Sequence, residues 1–133
     1  MLVTQMMKEH MKILVGLDGS EHSKKALKEA VQIAKRFTGS ITIVSVYTKE
    51  NEDENDKMGN YIESFLKEEG IQYGFKPILG SNPSKAILET AAEEKADLVV
   101  VGSRGLGKAA AFILGSVSKE VVSSSSCNVL VVK

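Results

Sequence analysis

The amino-acid sequence predicts an α/β fold: an open five-stranded parallel sheet, doubly wound by helices. Short β-branched apolar runs recur without alternation, which is how strands buried on both faces read. Between them lie amphipathic stretches of helical period, and parallel strands require such crossovers. The length of 133 residues suits one core, so residues 1–133 read as a single domain with no second catalytic unit.

The first run is Ile13-Leu14-Val15. After it Leu27, Ala30, Val31, Ala34 and Phe37 share one helical face, with Gly39 as the stop. The second run spans Ile41 to Val46, and the acidic stretch Lys49 to Asp56 behind it reads as a solvated loop. Met58, Tyr61, Ile62, Phe65 and Leu66 make the second helical stripe, closed by Gly70. Gln72 to Leu79 is a third strand that contains Pro77, and a proline that cannot donate to a ladder places it at a sheet edge. Ser81-Asn82-Pro83 opens a third helix, because asparagine caps and proline suits the first helical position. Its inner face is Ala86, Ile87, Thr90 and Ala91. Leu98 to Val101 is the fourth run, a fourth helix starts near Gly115-Ser116 with Val117 and Val121 turned to the sheet, and Val129 to Val132 closes the chain. The crossovers are expected to be right-handed, and the expected strand order is 3-2-1-4-5. Residues 1–11 read as an N-terminal arm, since Gln5, Lys8, Glu9 and His10 break its apolar character and leave no signal-peptide core.

Composition excludes several functions. Lys plus Arg total 17 and so do Asp plus Glu, so no global field recruits nucleic acid or an anionic membrane. The longest apolar stretch, Ala109 to Leu114, is far short of the ~20 residues that span a bilayer. The lone Cys127 forms no intrachain disulfide, and no Cys/His pair has metal-ligand spacing, so a reducing cytoplasm is the expected compartment.

Ligands of open parallel sheets bind beyond the carboxyl ends of the strands, where the winding reverses, here after the first and fourth strands. The fourth is followed by Gly102-Ser103-Arg104-Gly105-Leu106-Gly107-Lys108 and later by Gly115-Ser116-Val117-Ser118. Such glycines bring bare amides close to a ligand, and with a helix N-terminus they form an anion cradle. Arg104 and Lys108 add charge, while Ser103, Ser116 and Ser118 add hydroxyls; phosphate is the natural guest. A working P-loop is excluded, because Ala109 occupies the Mg²⁺-binding Ser/Thr position. A dinucleotide fingerprint fails as well, since no later strand supplies the ribose-binding acid.

The spacing Gly102-x₂-Gly105-x₉-Gly115-Ser116, with Lys12 to Ser20 before it and Asn128 to Val132 after it, resembles the nucleotide-binding branch of the universal stress protein family. That resemblance covers nearly the whole chain and implies a Rossmann-like fold of the adenine nucleotide alpha hydrolase kind. It implies ATP, or ADP or AMP, as the bound cofactor, with Mg²⁺ or Mn²⁺ held through the phosphates. By the same resemblance the phosphates lie on Gly102, Gly105, Gly115, Ser116 and Val117, with Val101 at the strand end. Asp18, Gly16 and Val46 would hold the adenosine. The family often carries proline or alanine where this chain has Gly16 and Leu17.

Blander readings stand beside these. Asp18 also fits a capping box with Glu21, the glycines also fit a tight ligand-free loop, and Arg104 and Lys108 also fit solvated surface charges. His22, Asp18 and a serine do not make a catalytic triad, because neighbours on one helical turn lack the geometry. With no acidic pair in the glycine loop, no catalytic residue is assigned, and an enzyme is not expected: at most there would be weak ATPase or autophosphorylation activity. The apolar strand Val129 to Val132, if at an edge, invites a two-fold partner, and the resembled family commonly dimerises there. The expected protein is therefore a nucleotide-responsive regulatory or stress-response homodimer. The alternative is an interaction module of the same fold that binds no nucleotide and works through its dimer surface.

Overall fold

The computed structural model describes residues 10–104 and 114–133. Its five strands are β1 (Lys12–Gly16), β2 (Ser40–Tyr47), β3 (Gln72–Leu79), β4 (Leu98–Gly102) and β5 (Asn128–Val132). All pairs are parallel and the order is β3-β2-β1-β4-β5, as expected from the sequence. The helices are α1 (Glu21–Arg36), α2 (Glu52–Leu66), α3 (Pro83–Glu94) and α4 (Ser116–Ser124).

The unbroken apolarity of β1 has a simple cause. Ile13 and Val15 enter a core shared with Ala26, Leu27, Ala30 and Val31 of α1 and Ile62 and Leu66 of α2. Leu14, between them, enters the opposite core with Val99, Val101, Ala86 and Ile87 of α3, and Val121 of α4. Successive side chains of a strand point to opposite faces, so a strand covered on both sides has no polar position to offer. Leu14 and Leu27 are fully buried, each contributing roughly 1.5–3 kcal/mol of transfer free energy. The start of the sheet is pinned by a reciprocal pair of bonds. The Lys12 amide donates to Asp97 Oδ2 at 2.8 Å, and the Asp97 amide returns a bond to the Lys12 carbonyl at 2.8 Å. Met11 already belongs to the fold, because its carbonyl accepts from the Ser40 amide at 2.9 Å.

Two expectations are corrected. Lys49 to Asp56 is not a loop: Lys49–Asn51 is a 3₁₀ turn and α2 begins at Glu52. The Thr48 amide and hydroxyl both donate to Asn51 Oδ1, at 2.6 and 3.2 Å. Glu52, Asp53 and Glu54 then occupy the first helical turn, where the macrodipole favours negative charge. The carboxylates that suggested solvation are helix-starting residues. Asp18, for its part, does not cap α1. Ser20 is the N-cap, accepting from the Ser23 amide at 3.2 Å, and Asp18 acts one step earlier by accepting from the Ser20 amide at 2.9 Å.

Other local signals hold. Asn82 caps α3 by accepting from the Lys85 amide at 3.1 Å, with Pro83 in the first turn. β3 and β5 are the two edges of the sheet, which accommodates Pro77.

Candidate functional site

At the sheet, α1, which follows β1, packs on one face, and α4, the next described helix after β4, packs on the other. The turn after β1 is a closed set of short bonds. The Asp18 amide donates to Ser23 Oγ at 3.2 Å, and the Ser23 hydroxyl donates to the Ser20 carbonyl at 2.9 Å. Gly19 adopts φ +86°, a conformation that disfavours a side chain, and Met58 of α2 lies over it. Asp18 itself is exposed, with one carboxylate oxygen used within the turn.

At the end of β4, Ser103 is the joint. Its amide donates to the Val132 carbonyl of β5 at 2.7 Å, and its own carbonyl accepts from the Gly115 amide at 2.8 Å. The buried Ser118 hydroxyl lies 3.0 Å from both the Ser103 and Gly115 carbonyl oxygens. These bonds tie the N-terminus of α4 to the end of β4. Gly115, the N-cap, offers no side-chain acceptor, so the first-turn amides of Ser116 and Val117 have no partner within the helix. Amides so placed, with the positive end of the dipole behind them, suit an anion.

The structure brings several sequence-predicted residues together. Gly16 ends β1 on the α3 side, where an added Cβ would lie 3.6 Å from Val101 Cγ1. Val46 is two residues beyond Val44, the β2 partner of Gly16. Val46 also lines a groove of about 380 Å³ that continues past Ile78, Asn82 and Ala86. Gly115, Ser116 and Val117 form the start of α4. Arg104, half-buried, is engaged with other groups of the chain. Gly105 and Lys108 lie outside the described residues.

Three roles differ from the simplest sequence reading. The Ser118 hydroxyl faces carbonyls of its own chain and positions α4, so it is no ligand donor. The Gly115 amide is committed to Ser103. Gly102 is glycine because α1 leaves no room, since a Cβ there would lie within 2.9 Å of three His22 atoms. Nothing in the local sequence announces that contact, which joins residues eighty positions apart. Among the described residues no group of three or more His, Cys, Asp or Glu is placed to hold a metal ion. No described helix is long and apolar enough to cross a membrane.

Residues 9–133 match the sequence profile of the Universal stress protein family. The chain belongs to the universal stress protein family. A curated universal stress protein of Thermus aquaticus, named for the QAH/OAS sulfhydrylase 3′ region, is 34% identical over 137 residues, covering 91% of this chain and 97% of that protein. A solved universal stress protein in complex with cAMP is 30% identical with a TM-score of 0.72, covering 92% of this chain and 97% of that one. The universal stress protein from Archaeoglobus fulgidus in complex with dAMP has a TM-score of 0.75 at 21% identity, over 92% of this chain and 98% of that one, a likeness of fold. This universal stress protein therefore shares its doubly wound sheet with relatives solved in nucleotide complexes.

Proposed function

We propose that this universal stress protein binds an adenine nucleotide, ATP foremost, where β1 and β4 part, and works as a nucleotide-responsive homodimer in the cytoplasm. The observation that carries the reading is the N-terminus of α4, uncapped by any side chain and fastened to the end of β4 through Ser103. The amides of Ser116 and Val117 with the backbone at Gly102 and Gly105 take the phosphates, and Arg104 adds charge. Gly16, Asp18, Val46 and Val101 border the adenosine. The cAMP complex of the 30% identical relative supports an adenine nucleotide as the guest.

The donor set fits a bound signal better than a turned-over substrate. Backbone amides neutralise phosphate charge, but phosphoryl transfer also needs a positioned metal and an oriented water or nucleophile. Mg²⁺ or Mn²⁺ would be carried on phosphate oxygens, with Asp18 the carboxylate of the β1 turn. Hydrolysis is therefore slow or absent. The edge position of β5, with half-buried Val129 to Val132, supports pairing with a second copy about a two-fold axis.

The test is to denature the purified protein and analyse the released small molecules, then to measure thermal stability in millimolar ATP-Mg. Adenine nucleotide in the supernatant or a rise in Tm supports the reading. An empty protein whose melting is unmoved by ATP refutes it and favours the nucleotide-free interaction module. Gly115→Val adds a β-branched side chain at the cradle where the backbone, at φ −66° and ψ 164°, tolerates it. The variant should fold and lose nucleotide.

A further inference from the structure

Gly102 has no side chain because the first turn of α1 occupies the space. A Cβ at Gly102 would meet the His22 carbonyl carbon at 2.7 Å, its Cβ at 2.8 Å and its carbonyl oxygen at 2.9 Å. His22 thus stands against the first glycine of the loop assigned to phosphate. It is half-buried, and among the described residues its imidazole meets no hydrogen-bond or ion-pair partner. A partly desolvated imidazole with both nitrogens uncommitted is a ready donor to an anion, and when protonated it donates from both.

We propose that His22 is a phosphate-binding residue of the cleft, and that its charge makes the affinity for polyphosphate nucleotides depend on pH. The inference rests on the nucleotide reading above and narrows it to ligands with an extended anionic tail. Histidine ordinarily changes charge between about pH 5 and 8. α1 packs against β1, β2, β4 and β5. In the chain, Asp18 follows β1, Arg104 follows β4 and Lys133 follows β5, while α1 itself carries Glu21, Lys24 and Lys25 in its first turns. From α2, Tyr61 faces the same turn, with the Lys24 ammonium 5.0 Å from the centre of its ring. A charged ring donates to an anion from both nitrogens, so proton and polyphosphate reinforce one another's binding.

The experiment is calorimetric titration of the full chain with ATP and with adenosine at about pH 6 and about pH 8, on wild type, His22→Asn and His22→Gln. Ligand-free melting curves check that the variants fold. The wild type should bind ATP about tenfold more tightly at the lower pH, the scale of one charge-assisted hydrogen bond. Both variants should lose that advantage and keep wild-type affinity for adenosine. Protonation of ATP itself is common to all three proteins, so the difference between variant and wild type isolates His22. A variant that retains the wild-type pH response, or that loses adenosine and ATP equally, overturns the role of His22 while leaving the nucleotide reading intact. Failure of the wild type to bind ATP at either pH overturns both.

Discussion

Replacing Gly102 with alanine tests the contact on which the geometry of the cleft turns. The added Cβ would sit 2.7 Å from the His22 carbonyl carbon and 2.9 Å from its carbonyl oxygen, where ordinary contacts begin at 3.4 Å. Both atoms are backbone, so no rotamer change relieves the overlap. Either the first turn of α1 or the end of β4 must move by about 0.7 Å. Overpacking of this kind costs about 1–3 kcal/mol. For 133 residues, 2 kcal/mol corresponds to a fall in Tm of about 7 °C. Two controls rank the effect. In Gly16→Ala the one overlap below 3.4 Å is with the Cδ1 end of Ile87 at 2.7 Å, a flexible tip that can turn aside, so its cost should be smaller. Gly74→Ala has no heavy atom within 4 Å and should leave Tm unchanged or raise it. Thermal and urea denaturation of the three variants measure the order. If Gly102→Ala melts with the wild type, or if Gly74→Ala is the most destabilised of the three, the close approach of α1 to β4 is wrong.

Ser118→Ala removes a buried hydroxyl 3.0 Å from the Ser103 and Gly115 carbonyls. It should cost about 1 kcal/mol in urea unfolding and weaken ATP binding; unaltered values for both would refute the positioning role. If β5 pairs two copies, Tm should rise with protein concentration, because dimerisation binds only the folded state. A concentration-independent Tm with a monomeric mass by light scattering contradicts the pairing. Burial, and secondarily the Glu21 charge, raises the Tyr61 phenol above its ordinary 10.0. Its folded value exceeds its unfolded one, so the stability it contributes is complete below pH 10 and is lost as pH rises through the raised folded value. Tyr61→Phe should flatten the alkaline fall in stability, and an equally steep fall in the variant would refute the linkage.

The architecture was legible in the sequence because its signals are local. Ile13-Leu14-Val15 and Leu98 to Val101 carry the unbroken apolarity of central strands, Asn82-Pro83 marks a helix start, and Pro77 sends its strand to an edge. The Lys49 to Asp56 stretch misled because carboxylates serve equally well in solvated loops and in first helical turns, and only the Thr48–Asn51 bonds decide between them. At the site, glycine spacing located the loop but not the duties of its members. Ser118 reads as a donor to ligand until its hydroxyl is found against two carbonyls. Gly102 reads as a glycine only for the approach of phosphate until His22 is found filling the place of its Cβ. The first comes from a contact between consecutive elements, fifteen residues apart, and the second from one between α1 and the end of β4.

The Ser103 carbonyl has a consequence for where the dipole of α4 points. By receiving the Gly115 amide and lying against the Ser118 hydroxyl, it clamps the first turn of α4 to the end of β4. The Ser103 amide is in turn held by the Val132 carbonyl, so the clamp is continuous with the last strand of the sheet. The bearing of the helix is thus inherited from the sheet, and a change at the β4–β5 ladder would re-aim the amides of Ser116 and Val117 without touching them.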